Sequence, residues 1–459
     1  MEDKKRTDGV RIPSISGPLS RREFLRLAGI AGVGVGLGGA LAGCGDSTTT
    51  TTAGSATTVG ATTATTAGAS MGREIKIGFV TPLTGPIAGF GEADTFCIDE
   101  WAAAAPTVDI GGTTHPIKVI VADSQSDPGR AGQVAGDLIN NDKIDLMLVA
   151  STPDTVNPVA DQCEANGIPC ISNDTPWQPF FFGRGGDPAV GFNWTYHFFW
   201  GLEDVIANFT AMWNAVGAKK VGAMWPNDPD GNAWADVVNG FPPALTAGGF
   251  ELVDPGRFQA LTEDFSAQIS KFKEAGCEIA TGVMIPPDFA NFWQQSAQQG
   301  FKPKIASVGK GLLFPSSMEA LGDIGYGLTT EVWWTPNHPF TSSLTGESCG
   351  DLAAKYESKT GKQWTQPLLH YAVYEVAMDA LSRTADIDDK ASIVDAIKTT
   401  KMDTIAGPVD WSTGPVPNVS KTPLVGGQWV KGEKYPYDLK IVSNVTAPEI
   451  ALTGEVQPL

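Results

Sequence analysis

From position 75 to position 308 the sequence alternates short, uninterrupted apolar runs with amphipathic helical stretches. Runs at 75–80, 117–122, 145–150 and 169–172 predict four strands, with helices near 92–105, 129–142 and 154–166 between them. A helix around 202–216 opens a second series, with strands at 220–225, 251–253, 279–285 and 305–308 and helices near 231–247, 264–275 and 288–299. In that series Thr262, followed by Glu263 and Asp264, predicts an N-cap, and Gly276 a C-cap. A strand without polar alternation is buried on both faces, the mark of a parallel sheet covered by helices. Two such series predict an α/β chain of two doubly wound, Rossmann-like lobes. Beyond them 327–334 reads as a strand, and 350–359, 366–383 and 389–399 as helices. The tail from Pro408, rich in Pro, Gly and Val, reads as short strands and loops.

In open α/β sheets ligands bind beyond the carboxyl ends of the strands. That rule selects loops 81–91, 151–155 and 173–177 in the first series and 226–231, 286–288 and 309–311 in the second. If the lobes face each other, these loops line one cleft.

The N-terminal part has a different character. Arg21-Arg22, then Phe24-Leu25 and a Gly/Ala-rich apolar stretch, resemble a twin-arginine export signal, and Leu41-Ala42-Gly43-Cys44 resembles a bacterial lipobox. In that pattern cleavage precedes Cys44, whose thiol carries a diacylglycerol, so 1–43 is the expected signal. A membrane-spanning reading of the same run is weakened by its glycines and by Arg26. It also contains Gly34-x-Gly36-x-x-Gly39, but no strand precedes this motif and no ribose-binding acid follows at the right distance, so a dinucleotide site is rejected. Residues 45–72 are almost wholly Thr, Ala, Gly and Ser and read, with the lipidated Cys44, as a disordered tether.

The net charge is −19; without residues 1–43 it is 25 basic against 47 acidic side chains, or −22. So acidic a surface argues against nucleic acid and anionic membrane as partners. The six cysteines form no CxxC pair and the four histidines no HExxH, which argues against a zinc site. Cys163 and Cys170 can pair or remain buried thiols. His370, in QPLLHYAVYEVAMDAL, reads as a packed histidine rather than a catalytic one.

Several stretches resemble one family: IKIGFVTPLTGPIAGFG at 75–91, the D-x-Q-S-D-P-x-x-A run at 123–131, LINNDKIDLMLVAS, N-G-I-P-C-I-S at 166–172, and EDFSAQISKFKEAG at 263–276. Their order and spacing are similar to those of type I periplasmic binding proteins of the branched-chain amino acid (leucine/isoleucine/valine) ABC-importer class. The resemblance covers about residues 73–445. It implies two lobes joined by a three-segment hinge, with crossovers near 195–199, 330–335 and 405–410. Lobe I would be 73–196 plus 334–407, and lobe II 197–333 plus 408–459.

Carried over position by position, the resemblance implies Phe90 as a wall of the cleft, then Ser151, Thr152 and Thr155 at a helix N-terminus for an anionic or polar ligand end. It implies a second clamp at Asn173, Asp174 and Thr175, followed by Trp177. On lobe II the matching positions are Asp228, Asp230, Pro287 and Lys310, and Trp334 is the best-placed aromatic at a crossover. Three positions depart from the amino-acid binders: Lys310 stands where an acid is expected, Asp230 where an aromatic is, and Asp174 where small residues are usual. Asp174 or Asp230 replaces the ammonium partner, or the ligand is not a simple α-amino acid; Asp174 can also serve as a helix cap. The implied function is an extracytoplasmic lipoprotein, anchored through Cys44, that captures a small ligand and delivers it to an ABC permease, with no cofactor. Two other classes stay open: a receptor signalling to a membrane sensor, and an enzyme, although no G-x-S-x-G elbow, P-loop or metal-ligand spacing is present.

Overall fold

The computed structural model describes residues 70–459. The export signal, Cys44 and most of the expected tether lie outside the described residues.

The first sheet is built from β1 (Ser70–Met71), β2 (Ile75–Thr81), β3 (Thr107–Ile110), β4 (Thr113–Asp123), β5 (Leu146–Ala150), β6 (Cys170–Asn173) and β7 (Thr195–Phe198). Its order is β1-β4-β2-β5-β6-β7, parallel throughout, with β3 antiparallel on β4. The second sheet contains β8 (Lys220–Pro226), β9 (Glu251–Val253), β10 (Arg257–Phe258), β11 (Ile279–Met284), β12 (Ile305–Lys310) and β13 (Thr329–Val332). The chain then returns through helices Cys349–Thr360, Tyr371–Arg383 and Lys390–Lys398 and a hairpin of β14 (Lys401–Thr404) and β15 (Gly407–Asp410). β16 (Val419–Ser420) adds to β7 in the first sheet. β17 (Val425–Lys431) and β18 (Tyr437–Ser443) close the second sheet antiparallel, next to β13.

Every residue of β5, β11 and β12 is buried, as two-faced coverage of a parallel sheet requires. The helix Pro153–Asn166 shows how sequence sets the flanking elements. Pro153 occupies the first helical position, where its missing N–H is no loss, and Gly167 ends the helix in the left-handed region at φ 66°.

Several expectations need correction. The third crossing lies at 421–424, between β16 and β17, rather than at 405–410, because β16 completes the first sheet; residues 408–420 therefore belong to the first lobe. Ser70 and Met71, expected in the tether, pair with Thr113 and Thr114. Thr262 caps nothing: the helix starts at Ser266, and the Thr262 hydroxyl donates to the Gln259 carbonyl. The helix predicted over 231–247 is two, Pro229–Trp234 and Phe241–Ala247, because Gly240 and the prolines behind it restart the turn. The strand expected at 327–334 shrinks to β13, and its antiparallel partner β17 is not a feature of a purely parallel plan. Cys163 and Cys170 are buried free thiols.

Candidate functional site

Both sheets reverse their winding next to their first long strand, β2 in one and β8 in the other, and the loops leaving those switch points face each other. Between them lies a cavity lined from the first lobe by Phe90, Thr152, Asp174 and Pro176, and from the second by Asp230, Trp234, Val283, Lys310, Leu313 and Glu331. Phe199, Trp200 and Trp333, which sit on the first two crossings, complete the wall. About 320 Å³ of space, part of it open to solvent, lies between these atoms.

The first-lobe side carries a buried charge relay. Asp174 follows β6 with a left-handed backbone, φ 70°, and its Oδ2 lies 2.6 Å from His370 Nε2. His370 Nδ1 lies 2.6 Å from Asp94 Oδ1, and Asp94 Oδ2 accepts from the Thr81 hydroxyl. All three ionisable side chains are sealed from solvent. Both ring nitrogens thus meet a carboxyl oxygen, an arrangement that suits an imidazolium donating from each. Burial works against that charge, but the Asp174 and Asp94 carboxylates outweigh it and hold the His370 pKa up at about 10. Burial also raises Asp174, against the pull of His370.

The second-lobe side is organised by Lys310, at the end of β12 and also left-handed, φ 61°. Its ammonium lies 2.5 Å from Asp230, 3.5 Å from Asp228 and 3.8 Å from Asp154, the last belonging to the first lobe. Burial opposes the Lys310 charge, yet these carboxylates raise its pKa. The Lys310 backbone N–H donates to Glu331 Oε1 at 3.1 Å. Burial pushes Asp230 up to about 7, with Lys310 pulling the other way, and pushes Glu331 up to about 7 as well. Two non-glycine residues held left-handed on facing walls mark a place where the fold accepts backbone strain, typical of ligand clamps.

Several polar atoms on the cavity wall have no partner. Thr152 Oγ1, Asp174 Oδ1, Asp230 Oδ1, and the indole N–H groups of Trp200 and Trp234 are buried, belong to residues that line the cavity and have no hydrogen-bond partner, and the Lys310 ammonium there is ion-paired but makes no well-aligned hydrogen bond. Buried polar groups are ordinarily satisfied, at a cost of about 1–3 kcal/mol each when they are not. The set offers acceptors on both lobes, with indole donors and an ammonium beside them, which fits a small polar ligand with groups of both kinds among aromatic walls.

The sequence-predicted residues divide. Phe90, Thr152, Asp174, Asp230 and Lys310 lie on the cavity wall. Asp228 stands behind it, where its carboxylate caps helix Pro229–Trp234 by accepting from Gly231 N at 2.7 Å. Ser151, Thr155, Asn173, Thr175 and Pro287 do not reach the cavity. Thr175 donates to the Ser151 carbonyl at 3.0 Å and Thr155 faces the Thr152 carbonyl, so both hydroxyls serve the loops themselves. Trp177 points away: its indole donates to Glu203 Oε1 at 3.2 Å and its ring packs on Phe182. Trp334 donates to the Ile405 carbonyl at 3.2 Å, and its neighbour Trp333 faces the cavity instead. Successive residues of extended chain point to opposite sides, so an error of one position exchanges cleft for core.

Sequence reasoning missed Trp200, Trp234, Glu331 and the relay through His370. Glu331 is an acid inside a strand, a detectable signal; His370 is not detectable, because its partners lie 276 and 196 positions away.

Comparison with known proteins places the chain. The family described as periplasmic binding protein matches residues 74–425. A Leu/Ile/Val-binding protein homolog of Brucella melitensis is 25% identical over 357 residues, covering 74% of this chain and 87% of that one. The leucine binding protein of Thermotoga maritima superposes with a TM-score of 0.67 at 21% identity, covering 81% of this chain and 99% of the other. A solute binding protein of an ABC transporter from Rhodopseudomonas palustris, solved with 3,4-dihydroxybenzoic acid, superposes with a TM-score of 0.65 at 21% identity, over 82% and 99%.

Proposed function

The chain belongs to the periplasmic binding protein family, type I, in the branched-chain amino acid class, and on that premise we propose that it is the extracytoplasmic, lipid-anchored receptor of an ABC importer. It takes a small amino acid-like, amide or aromatic ligand into the cleft. The observation that carries this reading is the cavity wall, built by both lobes and bearing unpartnered buried polar atoms on each. A group of that kind is stabilised when a ligand supplies its partner.

The mechanism is hinge closure. The ligand meets one lobe in the open form and the other closes on it, so the population of the closed form follows the ligand's differential affinity for it. Phe199, Trp200 and Trp333 lie on the crossings and on the cavity wall together, so a bound ligand touches the hinge. The closed form then docks on the permease. The relatives' leucine and dihydroxybenzoate suit aromatic walls of this type, and the lipobox ending at Cys44 supports anchorage.

The test is a thermal-shift screen of the full chain against amino acids, amides, ureas and aromatic acids. A ligand binding only the folded state raises apparent stability by mass action. A saturable shift with at least one compound supports the reading; stability unmoved by every compound sinks it.

A further inference from the structure

Between the helix Cys349–Thr360 and the turn Gln366–His370 the first lobe reaches across to the second. Gly361 ends the helix in the left-handed region at φ 71°, and Pro367 opens the turn, so the residues between them belong to neither. Gln366 Oε1 accepts from Trp333 N at 2.8 Å, and Gln366 Nε2 donates to the Leu313 and Glu331 carbonyls at 3.3 and 3.4 Å. Gln363 Nε2 donates to the carbonyl of Tyr437, in β18, at 3.0 Å. Thr365 donates to Glu92, whose other oxygen accepts from Ser316 of the second lobe at 3.3 Å.

Leu313, Glu331 and Trp333 all stand on the cavity wall, whereas Gln366 is fully buried behind it and does not line the cavity. A primary amide accepts and donates twice at once, and Gln366 uses its oxygen and its nitrogen together. Four positions on, His370 holds Asp174 on the wall of the first lobe. One five-residue turn therefore holds both walls. From this arrangement we infer that Gln366 is a positioning residue for ligand capture: it sets the second-lobe wall against the first, and together with Gln363 it forms a clasp that stabilises the closed form. The inference rests on the receptor reading above for what closure captures, and on the geometry alone for the clasp.

The two glutamines act at different distances from the hinge. Trp333 lies on the second crossing, so the Gln366 contacts sit close to the pivot. Tyr437 pairs with Lys431 at the far end of β17, a seven-residue strand that starts at the third crossing. At ~3.3 Å per residue the Gln363 contact is about 20 Å from that crossing. A rotation that only lengthens the bonds at Gln366 carries Tyr437 out of reach of Gln363, and hydrogen bonds weaken steeply once misaligned. Each contact has a modest net effect, but all of them bear on one equilibrium between open and closed forms.

The experiment uses the full chain in detergent micelles, spin-labelled through Leu83→Cys in the first lobe and Val237→Cys in the second, both exposed positions. Pulsed electron resonance reads the distance between the lobes without any ligand. Against the wild-type background, Gln363→Ala with Gln366→Met should lower the ratio of short to long distances about tenfold or more. Gln363→Ala alone should move it in the same direction by less, and it decides the matter if the double variant does not fold. Distances unchanged from wild type in the folded variants, with or without a lower urea midpoint, mean that the glutamines are merely structural and overturn the inference. With L-leucine or 3,4-dihydroxybenzoate as probe, the variants should release the compound about tenfold faster, bind it at an association rate within about twofold of wild type, and keep the same order of preference between the two. A changed order of preference would also overturn it, because neither glutamine lines the cavity. Failure of both probes to bind counts against the receptor reading only, and the distance measurement still decides the clasp.

Discussion

Phe90 and Phe314 meet edge to face across the cleft, ring centroids 5.0 Å apart and planes at 78°. Phe90 belongs to the first lobe and Phe314, just after β12, to the second, so the contact exists only when the lobes are together. Gly89 is what permits it. A Cβ at position 89 would lie 2.5 Å from the Phe314 ring, and Phe314 is itself fully buried. An aromatic pair of this geometry contributes about 0.5–1.5 kcal/mol beyond its buried area.

Gly89→Ala is therefore expected to hold the cleft ajar without unfolding either lobe. Position 89 has an ordinary backbone conformation, so alanine strains nothing locally. Ligand affinity should fall about tenfold or more while the unfolding midpoint stays near that of wild type. Small-angle scattering should show a larger radius of gyration. A variant as compact and as tight-binding as wild type would mean that closure does not pass through this contact.

Thr152 and Trp177 were equivalent candidates by sequence and separate in the fold. Thr152 Oγ1 is buried on the cavity wall without a partner, so Thr152→Ala should weaken ligand binding by about 1–3 kcal/mol and leave stability unchanged or slightly higher. Trp177 is core, so Trp177→Ala should cost about 3–5 kcal/mol of stability. Urea unfolding beside calorimetry reads both. Equal effects on binding with no loss of stability in Trp177→Ala would return Trp177 to the cleft.

The contrast shows what sequence could and could not reveal. Apolar runs such as 146–150 and the loops that follow them were legible, because two-faced burial leaves a periodicity and strand ends follow a general rule. Which side chain of a loop turns inward was not legible, as Trp333 and Trp334 show. The third crossing was missed because β16, two residues long, has no pattern of its own and is defined by its pairing with β7. The Asp94–His370–Asp174 relay joins three distant segments, and nothing local to any of them announces the other two.

The anchor can be tested independently of the fold. Cys44 ends the apolar run in a sequence that resembles a lipobox, and the diacylglycerol proposed there would add two acyl chains, enough for stable attachment. Cys44→Ala should move the protein from the membrane fraction to the soluble one. A variant that remains as firmly membrane-bound as wild type would show that attachment does not depend on this thiol.

The relay also sets how stability depends on pH. His370, ordinarily near 6.5, is held at about 10 in the folded protein by Asp174 and Asp94. A pKa raised by folding contributes stability that is fully present below the unfolded value and is lost as pH rises through the folded one. The wild type should therefore lose stability between about pH 6.5 and about pH 10, and His370→Gln, which lacks the ring, should lose less across that window. At about pH 6 the variant should be less stable by about 3–5 kcal/mol, since removing the cation leaves two buried carboxylates facing one another. The gap should narrow as pH rises, because the wild-type ring then loses the charge the variant never had. Urea unfolding at several pH values measures it, and a gap that stays constant across that window would mean that the ring is neutral in the folded protein.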